Sequence, residues 1–308
     1  MGNSSSAATT MQPGVSSTSA TDQDQFLGQF IPLHYHYQML LDQSRMNGFQ
    51  QAIERAVAPG ARVLELGGGT GVMSFFAAKK ASKVWCVERN PQLASAARRF
   101  LEMNRVGDRV EVVEADASQY APPGEVDVVI CEMLHSGLLR EKQVQVIDAF
   151  KRNYKAQVSP KLPIFIPEAT ILGVQPVEQN FTFHGYQAPM PVFFEPHIKD
   201  TGTTSLTDPM VYSLFEYRND FKEQFSFQIS VKVAQAGTLN ALRFVTKNVL
   251  SINVESNTTI DWHNFYMVLP IENPFSVAIG DRISLSFAYR AGDSIDALSS
   301  GMKVTKEG

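Results

Sequence analysis

A chain of 308 residues with 44% hydrophobic and 10% aromatic side chains has the material for one large domain or two of ordinary size. Its 31 acidic and 27 basic residues leave a net charge of −4 without long runs of either sign, so no basic stripe points to nucleic acid or an anionic lipid surface. No stretch reaches the about 18 apolar residues a membrane span needs, and the start lacks the charged-then-apolar order of a signal peptide.

Residues 1–24 are rich in Ser, Thr, Ala and Gly and nearly devoid of large apolar side chains, which predicts a disordered tail. Its opening, MGNSSS, meets the short N-myristoylation pattern, as many Ser-rich starts do. Cys86 and Cys131 lie at ends of apolar runs, with no C-x-x-C or Cys/His spacing. That argues against a metal centre and for a reducing, cytoplasmic setting.

After the tail, residues 34–57 (HYHYQMLLDQSRMNGFQQAIERAV) read as one or two helices lying over the carboxyl edge of a sheet. The sheet is announced by short apolar runs at 62–66 (RVLEL), 83–87 (KVWCV), 109–113 (RVEVV), 126–130 (VDVVI) and 163–167 (PIFIP). Amphipathic stretches separate the first of them, with Leu93, Ala96, Ala97, Phe100, Leu101 and Met103 near helical spacing. Near-continuous apolar strands alternating with helices predict an α/β fold: a Rossmann-like, doubly wound parallel sheet over residues 25–167. From 168 to 308 the texture changes to period-two alternation, as in FSFQISVKV (225–233), ALRFVTKNVLSINV (241–254) and RISLSFAYR (282–290), which predicts a β-rich second domain.

Between the first strand and the first helix of that sheet stands ELGGGTG, residues 65–71. Glycines there let backbone approach a ligand closely. A dinucleotide fingerprint counted from Gly67 would need glycine where the chain has Val72, so that pattern fails. What remains, E-x-G-x-G-T-G with Glu65, Gly67, Gly69 and Gly71, resembles the first motif of class I S-adenosylmethionine (AdoMet) methyltransferases. Glu88 ends the second strand, 17 residues after Gly71, where a carboxylate can accept ribose hydroxyls. Asp116 and Ala117, in EADAS after the third strand, stand where such enzymes line the adenine.

CEMLHSGLLRE, residues 131–141, sets Glu132 and Glu141 nine positions apart at the end of the fourth strand. With HYQMLLDQSR (36–45), which spaces His36, Met39, Asp42 and Arg45, with PIFIPEATIL (163–172) and with IDW (260–262), it resembles the protein arginine methyltransferase family. The likeness runs from residue 30 to about 290, weaker in the second half. It implies a Rossmann-like domain joined to a β-barrel-like domain, AdoMet as cofactor, and a two-glutamate clamp for a guanidino group. In that reading Arg45 binds the cofactor carboxylate, while His36, Met39, Trp262 and His263 line the substrate side. A guanidinium is a planar fork of donors, so two carboxylates can fix its rotation as well as its position.

The departures from the family are equally specific. Its aromatic pair ahead of the histidine is missing from DQFLGQFIPLHYHY, leaving Tyr35 and Tyr37 as candidates for that wall. Leu134, His135 and Ser136 replace Met, Gly and Tyr in the loop. Asp261 stands for the histidine of a T-H-W loop, opposite the family's aspartate at Asp42, and His263 is the expected compensating residue. Residues 183–218 fall where the family projects a dimerisation arm, which implies a homodimer, and a surface excursion is the alternative. Two other readings keep the fold: a small-molecule N- or O-methyltransferase with His135 or His36 as general base, and a non-catalytic AdoMet-binding scaffold.

Overall fold

The computed structural model describes residues 31–196, 198, 199 and 201–307; the expected tail and its MGNSSS start lie outside the described residues. Five parallel strands stand in the order β3-β2-β1-β4-β5: β1 (Arg62–Leu66), β2 (Lys83–Glu88), β3 (Val110–Glu114), β4 (Val128–Cys131) and β5 (Ile164–Ile166). Val63, Leu64, Leu66, Val84, Cys86, Val87, Val128, Val129 and Ile130 are fully buried, so side chains on both faces of the sheet are covered, as near-continuous apolar strands require. The order reverses between β1 and β4, which opens a crevice at their carboxyl ends.

Helices α1 (Leu33–Leu41), α2 (Gln43–Ala56), α3 (Val72–Ala78), α4 (Pro91–Met103) and α5 (Gln143–Gln157) accompany this sheet. Their limits have local causes. Asp42 breaks α1 from α2 and caps α2, accepting the Arg45 backbone N–H at 2.8 Å. Asn90 caps α4 by accepting from Gln92 N–H at 3.0 Å, with Pro91 in the first turn. One stripe of α4, Leu93, Ala94, Ala96, Ala97 and Leu101, is buried.

Beyond β5 the chain is antiparallel. The remaining strands are β6 (Ala169–Gln179), β7 (Thr182–Phe183), β8 (Tyr186–Gln187), β9 (Val192–Phe194), β10 (Thr203–Ser205), β11 (Met210–Glu216), β12 (Gln224–Lys232), β13 (Gly237–Asn253), β14 (Thr258–His263), β15 (Tyr266–Val277), β16 (Arg282–Arg290) and β17 (Lys303–Lys306), with α6 (Ile295–Gly301) before the last. Seven of them, with β6 and β13 at the centre, make one sheet, and β12, β16 and β17 make another. Aromatic side chains join the two sheets: Phe287 lies 5.1 Å from Tyr212 and 5.3 Å from Phe244 between ring centroids.

Two expectations change here. IDW is part of a strand, β14, paired with β13, rather than a loop. The segment 183–218 is largely drawn into the sheet: β9 pairs with β15, and β10 and β11 pair with β6, leaving the β7–β8 hairpin as a separate two-stranded ribbon. The two halves of the chain meet where α2 packs on β13 and β14, with Trp262 buried at 6.0 Å from the Phe49 ring.

Truncating Phe244, fully buried between the sheets, is expected to cost about 3–5 kcal/mol of unfolding free energy. Urea denaturation of Phe244→Ala beside the exposed-site change Leu214→Ala checks this, since the second should shift the midpoint little.

Candidate active site

The turn after β1 is built by glycine conformation. Gly67, Gly69 and Gly71 have φ of 77°, 54° and 80°, values that side chains strain to reach. There is also no room for one: a Cβ on Gly69 would stand 2.8 Å from the His36 ring, one on Gly67 would strike Met133, and one on Gly68 would strike the Cys86 sulfur. The turn's own N–H groups hold it in place: Gly67 and Gly68 each donate to the Val87 carbonyl at 2.9 Å and Gly71 to the Gly68 carbonyl at 2.7 Å, which brings bare backbone to the carboxyl edge of the sheet.

Two carboxylates support this turn differently. Glu65 is buried beneath it and accepts from Ser74 of α3, through the backbone N–H at 2.9 Å and through the hydroxyl. Burial pushes its carboxyl up to about 7, with the Ser74 hydrogen bonds acting against that rise. Glu65 therefore fastens β1 to α3 and shapes the turn. Glu88, at the end of β2, accepts from Gly69 N–H at 2.8 Å and from Asn90 N–H at 2.7 Å, which places its carboxylate beside the glycines. Its position suits a pair of ribose hydroxyls. Asp116 binds its own turn, accepting from Ser118 N–H at 2.9 Å and Ser118 Oγ at 2.7 Å, and its other oxygen lies 3.3 Å from Arg89. Ala117 is buried beside it. Glycine cradle, ribose carboxylate and the cation of Arg45 together fit an adenosyl cofactor that carries a carboxylate.

Across the crevice, Glu132 follows β4 and its Oε2 is ion-paired with Nη2 of Arg45. Arg45 is buried, donates Nη1–H to the Met39 carbonyl at 3.2 Å, and lies 5.9 Å from the Phe49 ring. It thus ties α1, α2 and the loop together. Glu141 is half-buried and makes no ion pair among the described residues. Burial first, and the Glu132 charge second, push its carboxyl up to about 8; Arg45 and Arg140 pull the other way. So the loop presents one paired carboxylate and one that lacks a cation of its own.

The histidines are both disfavoured as cations. Burial holds His135 down to about 4, and its ring sits 5.8 Å from Phe193 in an edge-on contact. His36, lying on Gly69, is lowered by burial and by the nearby Arg45 charge. Met39 is half-buried on α1, and Trp262 belongs to the core between α2 and β14. Asp42 and Asp261 each have a partner: Asp42 caps α2, and Asp261 pairs with Lys247 of β13 at 2.7 Å and accepts from Thr259 at 3.1 Å. Lys247 is thus a cation beside Asp261 in addition to whatever His263, the next residue but one, contributes.

The loop backbone has anchors that no spacing announced. Gly137 N–H donates to Thr246 Oγ1 at 2.7 Å, Tyr289 donates to the Gly137 carbonyl at 2.8 Å, and Ser136 Oγ donates to the Phe265 carbonyl at 2.6 Å. Gly292 N–H and Asp293 O meet Leu138 O and Arg140 N–H, each at 2.8 Å. The second sheet system therefore grips the two-glutamate loop from one side while α5 holds it from the other.

Residues 63–157 match the family model of a methyltransferase domain. An uncharacterised protein of Methanocaldococcus jannaschii is 25% identical over 264 residues, covering 86% of this chain and 95% of that one. An arginine N(omega)-methyltransferase of Streptomyces achromogenes is 32% identical over 141 residues, 44% of this chain but only 39% of that protein. Among solved structures, the Trypanosoma brucei PRMT1 enzyme–prozyme heterotetrameric complex with AdoHcy superposes with a TM-score of 0.69 at 16% identity, covering 89% of this chain and 98% of that one. The glycine turn, its partner carboxylate and the matched domain agree: the chain is an S-adenosylmethionine-dependent methyltransferase, similar over part of its length to arginine methyltransferases and in fold to the PRMT1 structure.

Proposed function

We propose that the protein methylates a guanidino nitrogen held between Glu132 and Glu141. The observation that carries this is the state of Glu141: a half-buried carboxyl beside a second carboxylate, raised to about 8 and without an ion pair of its own. Such a group is stabilised by an incoming cation, and a guanidinium is the cation whose flat face and edge donors suit two carboxylates at once. The name of the Streptomyces relative, an arginine N(omega)-methyltransferase, supports the same acceptor class, with free arginine, a protein arginine or a related metabolite as the substrate.

AdoMet supplies a methyl group on a sulfonium, to be displaced in line. The residues do the rest. Glu88 and the glycine turn would hold the adenosyl end, and Arg45, ion-paired with Glu132, would take the carboxylate end. Glu132 and Glu141 draw the positive charge of the guanidinium toward the nitrogens they bond, leaving lone-pair density on the attacking one. Orientation of this kind is worth on the order of 7–11 kcal/mol of a bimolecular barrier. Methyl transfer to nitrogen breaks the C–S bond of the sulfonium and leaves a proton to be lost from that nitrogen, for which Glu141 in its carboxylate form would be the acceptor. His135, held down to about 4, is a weak base at neutral pH, which favours glutamate over histidine chemistry.

The partner we propose is a second copy of the chain. Helix α1 exposes Leu33, Tyr35, Tyr37, Leu40 and Leu41, and the β7–β8 region exposes Phe183, Tyr186 and Met190. Two separate apolar surfaces of this kind suit a closed two-fold pair. Sedimentation should find a dimer that Tyr186→Glu dissociates; a monomer in the unaltered protein would remove the proposal.

The activity test uses methyl-labelled AdoMet with free arginine and with an arginine-containing peptide. Transfer to a guanidine is expected, falling about a hundredfold in Glu141→Gln with little change in AdoMet affinity. The sign of the pH effect follows from the raised carboxyl: below about 8 Glu141 is protonated in the free enzyme and the clamp is one charge short, so kcat/KM should rise with pH and level off above that value. The same profile should be flat in Glu141→Gln. Label on hydroxyl or carboxyl acceptors, with Glu141→Gln fully active, contradicts the guanidine clamp.

A further inference from the structure

The peptide groups on both sides of Glu132 are held by side-chain amides. Gln143, the first residue of α5, donates Nε2–H to the Cys131 carbonyl at 2.7 Å and accepts from Met133 N–H at 2.8 Å. Asn264 donates Nδ2–H to the Leu134 carbonyl at 2.9 Å. Asn264 is the end of one chain of hydrogen bonds. The Tyr217 hydroxyl lies 2.8 Å from Thr170 Oγ1; Thr170 donates to Asn248 Oδ1 at 3.1 Å; and Asn248 Nδ2 donates to Asn264 Oδ1 at 2.8 Å.

The proton count fixes the direction of every link. Thr170 has one hydroxyl proton and gives it to Asn248, so Tyr217 is the donor to Thr170. From Tyr217 to the Leu134 carbonyl all four links then point the same way, an arrangement in which each bond polarises the next. Gln143, Thr170, Tyr217 and Asn248 are 0% exposed and Asn264 6%, so water does not compete. Polar groups in such a place are costly unless paired, and apolar side chains could fill the same junction between α5, β6 and β13. What the polar set adds is a grip on the backbone from Cys131 to Leu134, from the parallel-sheet half through Gln143 and from the antiparallel half through Asn264.

We propose that Tyr217 and Asn248, neither of which reaches solvent, are positioning residues for methyl transfer: through this chain they set the place of the Glu132 carboxylate, and with it the acceptor nitrogen. This rests on the guanidine reading above. Nothing in the spacing of the sequence marks these two residues, and they reach the loop through Asn264.

Three variants test it. Tyr217→Phe removes one hydroxyl from the middle of the chain at nearly constant volume. Asn248→Asp keeps the acceptor for Thr170 but loses the donor to Asn264. Tyr154→Phe is the control: Tyr154 is also buried, and its hydroxyl accepts from Val126 N–H at 3.0 Å, ahead of β4 and at the opposite end of that strand from the loop. Methyl transfer to a guanidino acceptor should lose about tenfold in kcat in the first two variants and nothing in the control, with AdoMet affinity within about twofold throughout. Deuterium uptake should rise in peptides covering 131–141 in the same two variants, and stay as in the unaltered protein at 66–72. Equal kcat in Tyr217→Phe and the unaltered protein, a matching loss in Tyr154→Phe, or unchanged uptake across 131–141 overturns the proposal. If the unaltered protein methylates no guanidine, the functional reading fails by itself, and uptake across 131–141 decides the positioning chain alone.

Discussion

Glu132 and Glu141 share one neighbourhood in which Arg45 is ion-paired with Glu132 while Glu141 has no ion pair among the described residues, and much of the site is arranged around that imbalance of charge. Two carboxylates in a half-buried cleft repel, and for Glu141 burial adds to that repulsion in opposing ionisation. Arg45 settles only one of them, because its guanidinium is also tied to the Met39 carbonyl and packed near Phe49. The second stays protonated over much of the neutral range. A site of this kind has unspent affinity for a cation, and the affinity is directional, since the loop that bears both acids is fixed along its backbone.

That fixing explains why the antiparallel half is present at all. The parallel sheet supplies the glycine turn and Glu88, the residues proposed to hold the adenosyl cofactor. It is not sufficient to hold a loop of eleven residues after β4 in one conformation. Thr246, Tyr289, Asn264 and the Phe265 carbonyl supply the missing contacts from the second half, and Trp262 against Phe49 keeps α2, with its Arg45, in step with them. Cofactor side and acceptor side are thus positioned by different sheets that meet at one loop.

The parallel sheet was legible because its strands are buried on both faces, so runs such as RVLEL and KVWCV are apolar throughout and need no partner to be recognised. The antiparallel half was less so. Strand β15 carries Pro270 and Pro274, which argue against a strand; the structure places Pro270 opposite Ala241, beside the irregularity between Leu239 and Ala241 in β13, where a missing donor is tolerated. The site divides in the same way. Glu88 and the glycines stand out by their spacing along the chain, whereas Arg45 and the pairing of Glu132 with Glu141 rest on the resemblance to arginine methyltransferases. Trp262, read as a substrate contact, instead lies in the core against Phe49, and Glu65 lies under the glycine turn, because neither burial nor orientation is written in a short motif. Asn248 and Asn264 were invisible for a related reason: their partners are set by register between strands, which a single sequence does not display.

The most direct test of the cation receptacle is a carbon-13 NMR titration of the Glu141 side-chain carboxyl, assigned by comparison with Glu141→Gln. The free protein should titrate near 8, and an added guanidine such as arginine should lower that value sharply as the carboxylate gains its partner. A Glu141 that titrates near the ordinary 4.5 and ignores guanidines would contradict the two-glutamate clamp.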